Sequence, residues 1–250
     1  MRLAAVQHDI AWEDRSATLA RLDGLLAPVE ADLVVLPEMF AVGFTMSRAV
    51  AEPPEGPTTT WLVDHAAARR RWIGGSIPVV LDGADRPSNV FTLAGPDGEV
   101  HRYAKRHPFA YAGEHEHYAA GDERVTVDVD GVRTALTVCY DLRFADAYWP
   151  LAPTTDLFLV VASWPAPRRE HWRTLLRARA IENQAYVAGV NRVGAGGGLR
   201  YVGDSSIIDP MGEELASAGD EETVLAADID PAVVATVRAD LPFMADRRPD

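Results

Sequence analysis

Thr134-Ala135-Leu136-Thr137-Val138-Cys139-Tyr140-Asp141-Leu142-Arg143-Phe144 is the stretch whose reading decides the fold. Its first half, rich in Val, Leu and Thr, reads as a buried strand, and the switch to Tyr-Asp-Leu-Arg reads as the strand's end. Cys139, the only cysteine of the chain, therefore stands where an α/β sheet hands over to a loop, the usual place for a reacting group. A lone cysteine is ordinarily a small buried hydrophobe. Two other segments argue against that reading. Val34-Val35-Leu36-Pro37-Glu38-Met39-Phe40 is a buried strand ending in proline and then a carboxylate, and Tyr103-Ala104-Lys105-Arg106-His107-Pro108-Phe109 is a short strand closed by a lysine. Each sets an ionisable side chain just past a strand, so three strand ends are expected to converge on one site.

Working outward, residues 2–7 read as a first strand, 14–29 as an amphipathic helix with Leu19, Leu22, Leu25, Leu26 and Val29 at helical spacing, and 32–36 as the next strand. A Pro/Gly-rich loop over 53–57 leads into a helix over 58–71 and a strand over 72–80. Residues 89–93 and 99–103 pair as a hairpin around Gly95-Pro96-Asp97-Gly98, and 124–129 pairs with 132–138 across Asp130-Gly131. A buried strand over 156–161 precedes a helix over 169–184 that turns Trp172, Leu175, Leu176 and Ile181 to the core. Strands over 185–193 and 202–208 flank Ala195-Gly196-Gly197-Gly198, read as a mobile loop. A last strand covers 225–229, and Pro231 starts a short helix. Strands and helices alternate without linker, repeat or low-complexity tract, which predicts one α/β sandwich over 1–250.

The Glu38, Lys105 and Cys139 segments, in this order, resemble the Glu-Lys-Cys signatures of the nitrilase superfamily of carbon–nitrogen hydrolases. The resemblance runs from Met1-Arg2-Leu3-Ala4-Ala5-Val6-Gln7 to Gly203-Asp204-Ser205-Ser206-Ile207-Ile208-Asp209-Pro210-Met211-Gly212-Glu213. Pro37-Glu38-Met39-Phe40, Gly113-Glu114-His115-Glu116-His117-Tyr118 and the helix from His171 to Gln184 make the chain similar to the omega-amidases, which hydrolyse the terminal amide of 2-oxo acid amides. The resemblance implies the superfamily's α-β-β-α sandwich, a homodimer or larger homo-oligomer assembled through helices, and no cofactor. It also implies a second glutamate, which Glu114 matches, holding Lys105 and helping to orient substrate or water.

Composition sets the outer limits. At 250 residues and 48% hydrophobic the chain can bury one sizeable core. A formal net charge of −13 argues against nucleic acid and anionic membrane as partners. An anionic substrate must then find a local cationic pocket against the global field. One cysteine excludes an internal disulfide framework. The N-terminal apolar stretch is too short for a signal peptide, and no window approaches a membrane span, so a cytoplasmic protein is expected.

The chemistry follows from residue types. Amide hydrolysis needs a strong nucleophile, a stabilised oxyanion and a proton for the departing amine. A free thiol is mostly protonated at neutral pH, and a nearby Lys105 ammonium is expected to favour the thiolate. Glu38 is the candidate general base, and Lys105 and the Tyr140 N–H are candidate oxyanion donors. Phe44, Phe109 and Trp164 follow strand ends and are candidate walls of a substrate pocket. Arg143 and Arg168 are candidates to hold an anionic substrate group, with Arg106 a third. Arg179 and Glu182, three apart on a helix, read as an ion pair. His107, His115 and His117 with Glu114 and Glu116 raise a zinc alternative, since His-x-His on a strand turns both imidazoles to one face. No further ligand is anchored at a recognisable spacing, and the segment reads instead as a loop covering substrate. The expected reaction is cofactor-free and metal-free hydrolysis of a small linear amide, with a nitrile, a carbamoyl amine or an N-acyl group as rival substrates.

Overall fold

The computed structural model describes residues 1–248; residues 249 and 250, the end of the span read as one unit, lie outside the described residues. The first half of the chain forms β1 (Arg2–Gln7), α1 (Arg15–Leu26), β2 (Leu33–Val35), α2 (Pro57–Arg69), β3 (Trp72–Val79), β4 (Ser88–Ala94), β5 (Val100–Ala104) and α3 (Glu114–His117). The second forms β6 (Thr126–Val129), β7 (Val132–Val138), β8 (Leu157–Ala162), α4 (Arg169–Asn183) and β9 (Tyr186–Asn191). It continues with β10 (Val193–Gly196), β11 (Leu199–Val202), β12 (Ser206–Ile208), β13 (Glu214–Ser217), β14 (Thr223–Asp228) and α5 (Pro231–Asp240).

Two six-stranded sheets result, in the orders β14-β1-β2-β3-β4-β5 and β13-β12-β9-β8-β7-β6. Each has three parallel strands at its centre (β1, β2, β3 and β7, β8, β9) and antiparallel strands outside them. The period-two alternation of strand side chains sorts the core into layers. In β1, Leu3 and Ala5 enter the core between the sheets, whereas Ala4 and Val6 face α1 and α2. In β8, Leu157, Leu159 and Val161 enter the same inter-sheet core, whereas Phe158 and Val160 pack against Trp172 and Leu176 of α4. Central strands apolar on both faces are what two covered sheets require. The architecture is the α-β-β-α sandwich.

Local chemistry fixes the helix ends. Asp14 caps α1 by accepting from Ala17 N at 2.9 Å. Glu52, buried, serves α2 from outside the helix by accepting from Thr58 N and Thr59 N at 2.9 and 3.1 Å. Several boundaries differ from the sequence reading. Helix α1 stops at Leu26 rather than 29: Ala27 keeps helical backbone, but Pro28 has no N–H to continue the intrahelical ladder. In α4 the buried face is Trp172, Leu176, Arg179, Ala180 and Asn183, so Ile181 lies off it and is 45% exposed. The segment read as a mobile loop is a tight hairpin of β10 and β11, with Gly197 and Gly198 both at positive φ as a two-residue turn of this kind demands. The strand read as continuous over 202–208 breaks at Gly203 and Asp204, both left-handed. A Cβ on Gly203 would meet Gln7 Oε1 at 2.1 Å, and that same amide oxygen accepts Ser205 N. β13 had no apolar signature, being mostly exposed. Among the described residues no helix is long and apolar enough to cross a membrane.

Candidate active site

Glu38 follows β2, Lys105 closes β5 and Cys139 ends β7, so the two sheets deliver their strand ends to one place. Cys139 has φ +47°, a left-handed conformation uncommon for a residue with a Cβ. The chain leaves β7 there and enters a tight turn over Cys139–Arg143. The thiol is half-buried. A similar corner presents Glu38: Met39 has φ +45° and its N–H donates to Ser76 Oγ at 2.9 Å. Ser163, just past β8, donates its backbone N–H to Glu38 Oε2 at 2.8 Å and its hydroxyl to Glu38 O at 3.2 Å.

Lys105 is 1% exposed and its Nζ lies 2.8 Å from both Glu38 Oε1 and Glu114 Oε2. Asn89 Nδ2 bridges the same carboxylates, at 2.8 Å from Glu38 Oε1 and 3.1 Å from Glu114 Oε1. Glu114 also accepts the Phe109 N–H. Lys105, Glu38 and Glu114 are buried and paired by charge as well as by hydrogen bonds, as an ionised cluster away from water requires, whereas Asn89 Oδ1 is buried without a partner.

The array sets the protonation states. Burial pulls the Lys105 ammonium down, but Glu114 and Glu38 together outweigh it and hold the lysine above its ordinary range. Burial pushes Glu114 up, with Lys105 pulling the other way. Burial and then the charge of Glu38 push the Cys139 thiol well above the ordinary cysteine value, and Lys105 offsets them only in part. Lys105 thus favours the thiolate, as the sequence reading expected, but burial and Glu38 outweigh it. One cation faces two carboxylates, and the resting sulfur is a thiol beside a carboxylate able to take its proton.

The remaining candidates are placed around a cleft that Cys139 lines. Phe44 lies under the lysine, its ring centre 5.3 Å from Nζ. Phe109 and Tyr140 pack ring against ring at 4.8 Å, and Trp164 forms another wall. The Arg143 guanidinium lies 4.6 Å from the Trp164 ring centre, and that of Arg168 lies 5.3 Å from Phe109. Both arginines line the cleft. Arg106 does not: its guanidinium donates to Asp122 O at 2.9 Å. The Tyr140 N–H lies in the first turn after the thiol, where backbone donors lack an intrahelical acceptor. Arg179 pairs with Glu182 at 2.7 Å and caps the Leu142 carbonyl.

The imidazoles do not gather. His107 is committed to Asp141 at 2.7 Å, and His115 and His117 sit on the single turn of α3 rather than on a strand. Among the described residues no group of three or more His, Cys, Asp or Glu side chains is placed to hold a metal ion. Sequence reasoning missed Asn89, Ser163 and Asp141, together with Leu199 and Tyr201, which the β10–β11 hairpin carries to the cleft wall. The Cys-Tyr-Asp run held the one available signal, for Asp141.

The carbon–nitrogen hydrolase family model matches residues 2–239. The chain is 47% identical to the omega-amidase YafV of Yersinia enterocolitica, over 87% of this chain and 85% of that protein. It is 32% identical to the 2-oxoglutaramate amidase of Bacillus subtilis, over 99% and 98%. A crystal structure from Xanthomonas campestris, a CN-hydrolase superfamily protein with an arsenic adduct in its active site, superposes with a TM-score of 0.94 at 39% identity, covering 100% of this chain and 98% of that one.

Proposed function

The chain belongs to the carbon–nitrogen hydrolase family, and on that footing we propose that it is an omega-amidase, releasing ammonia from the terminal amide of small 2-oxo acid amides such as 2-oxoglutaramate. The observation that carries the reading is the buried Glu38–Lys105–Glu114 array set against Cys139. The omega-amidase and 2-oxoglutaramate amidase relatives support the choice of substrate.

In this reading Glu38 takes the thiol proton as Sγ attacks the amide carbon, and the carbonyl oxygen becomes an oxyanion facing Lys105 Nζ and the Tyr140 N–H. Collapse expels ammonia, which receives the proton from Glu38, and leaves a thioester. Water then gives a proton to Glu38 as its oxygen attacks the thioester carbon. The second collapse releases the carboxylic acid, and the sulfur recovers the proton. Glu114 keeps Lys105 in place, and Arg143 or Arg168 receives the substrate's carboxylate by charge-assisted hydrogen bonds. Residues 1–250 act as one unit, cytoplasmic and assembled as a homodimer or larger homo-oligomer.

Ammonia release from 2-oxoglutaramate, glutamine, short aliphatic amides, nitriles and carbamoyl amines tests the reading. The 2-oxo acid amide is expected to give the highest kcat/KM. Better turnover of neutral amides or nitriles overturns the omega-amidase assignment and leaves the Glu-Lys-Cys chemistry standing.

A further inference from the structure

Asp141 lies two residues past the thiol, is fully buried, and gathers four donors on one carboxylate. Oδ2 accepts Val138 N at 3.0 Å and the Tyr103 hydroxyl at 2.8 Å. Oδ1 accepts His107 N at 3.0 Å and pairs with His107 Nδ1 at 2.7 Å. Four contacts use the whole acceptor capacity of a carboxylate. The donors come from two places only. Val138 is the last residue of β7, immediately before Cys139. Tyr103 and His107 stand two residues before and two after Lys105, at the end of β5 in the other sheet. One side chain thus brackets the lysine and holds the corner from which the thiol projects.

That corner needs support. Cys139 is held at φ +47°, and a residue with a Cβ persists there only where its surroundings over-determine it. The Val138–Asp141 bond closes the turn on one side. Burial and the Asp141 charge both keep the Tyr103 phenol protonated and so able to donate. The groups being joined are those that must face one substrate carbonyl from two sides, Sγ on its carbon and Nζ on its oxygen.

We propose that Asp141 is a positioning residue that fixes the Cys139 corner to the Lys105 strand end, so that attack and oxyanion stabilisation fall on the same carbonyl. The proposal rests on reading Cys139 as nucleophile and Lys105 as oxyanion donor. An asparagine cannot replace the carboxylate, because in either orientation its amide nitrogen meets donors. Misplacing reacting groups by about 1 Å costs about a hundredfold in rate.

Asp141→Asn and His107→Ala test it. His107 is only partly buried and does not line the cleft, and His107→Ala removes the lysine-side contacts made by the imidazole while leaving Val138 and Tyr103 in place. Measured per folded molecule, kcat for 2-oxoglutaramate is expected to fall about a hundredfold in Asp141→Asn and about tenfold in His107→Ala. KM is expected to stay within about threefold in both, because the cleft arginines are untouched. The pH midpoint of Cys139 alkylation by iodoacetamide is expected to move, since the thiol's distance to Lys105 and Glu38 changes. Lowered thermal stability with kcat within about threefold of wild type overturns the proposal, and His107→Ala alone decides it should Asp141→Asn not fold. If the wild type releases no ammonia from any amide while the alkylation midpoint still moves in the variants, the amidase reading fails and the role of Asp141 stands.

Discussion

Replacing Lys105 by methionine keeps an unbranched side chain, one atom shorter, and removes the charge from between two carboxylates 2.8 Å away on either side. Glu38 and Glu114 are then left buried, sharing only the Asn89 amide and the backbone N–H groups of Ser163 and Phe109. Breaking a buried ion pair by deleting one partner typically costs about 3–5 kcal/mol, and the loss here belongs near the upper end because two partners are stranded. The loss should depend on pH in a defined direction. Burial already holds Glu114 above the ordinary carboxylate range against the pull of Lys105. Without the lysine, burial and the Glu38 charge are opposed only by hydrogen bonds such as that of the Phe109 N–H, and the folded-state value rises further. A carboxyl raised in the folded state binds a proton that the unfolded chain has released. Stability is therefore greatest below the unfolded carboxylate value, about 4.3 for glutamate, and is lost as pH rises through the folded value. Urea unfolding of wild type and Lys105→Met across the range from about pH 5 to about pH 8 should show the deficit widening with pH. Ammonia release should fall by at least about a hundredfold to a thousandfold from the lost oxyanion donor alone. A deficit under about 1 kcal/mol that is flat with pH, together with near-normal turnover, would refute both the charge accounting and the role given to Lys105.

Cys139→Ala is expected to fold and to lose turnover by several orders of magnitude, and Cys139→Gly should be the more stable of the two by about 1 kcal/mol, since only glycine relieves the left-handed backbone; equal urea midpoints would contradict the strain. In Glu38→Gln, turnover and thiol ionisation should move in opposite directions. Ammonia release is lost with the base, while the pH midpoint for iodoacetamide alkylation falls, because the Glu38 charge is the largest contribution after burial to the raised thiol value; an upward shift would show that Lys105 governs the sulfur instead. Arg143→Met or Arg168→Met should raise KM for 2-oxoglutaramate by about ten- to a hundredfold while changing a neutral amide little, as expected for a charge-assisted contact of about 1.5–3 kcal/mol. Equal effects on both substrates would assign the arginines to the wall rather than to the carboxylate.

What the sequence made legible was what local patterns record. The strand ends at Glu38 and Cys139 could be read because each is an apolar run broken abruptly by a charged or polar residue, and the one at Lys105 because the Gly95-Pro96-Asp97-Gly98 turn sets a hairpin there. Partners chosen by the fold could not. Asn89 sits in an unremarkable strand, and only the pairing of β4 with β5, which lays Val90 against Ala104, brings its amide to the carboxylates beside Lys105. The glycines at 196–198 suggested mobility, yet the chain there is closed by a two-residue turn and tied down by Arg192, buried, whose guanidinium reaches Asp9, Ile10 O and Ala195 O. That buried arginine is invisible as a latch until the hairpin is seen, and with it Tyr201 and Leu199 were lost from the expected cleft. Ile181 failed for a different reason: helical spacing defines a stripe, but the part of that stripe facing the sheet is set by how α4 lies on β9.

The charge balance of the site explains why a protonated thiol is compatible with nucleophilic catalysis. Lys105 with Glu38 and Glu114 is one cation against two carboxylates, a formal excess of one negative charge before the sulfur is counted. A preformed thiolate would add a second in a medium where unpaired charge is costly. In the proposed reaction the proton leaves sulfur for Glu38 as the carbon–sulfur bond forms, so Glu38 is neutralised as the substrate oxygen becomes anionic. The excess charge then lies near Lys105 Nζ and the Tyr140 N–H, which are fixed before the reaction begins. No net charge enters the buried array during this step. In the same proposal the substrate's own carboxylate falls to Arg143 or Arg168, both of which line the cleft in a chain whose formal charge is −13. Separating these duties leaves Glu38 free to take the thiol proton, while the arginines give the cleft above it the positive charge that an anion needs.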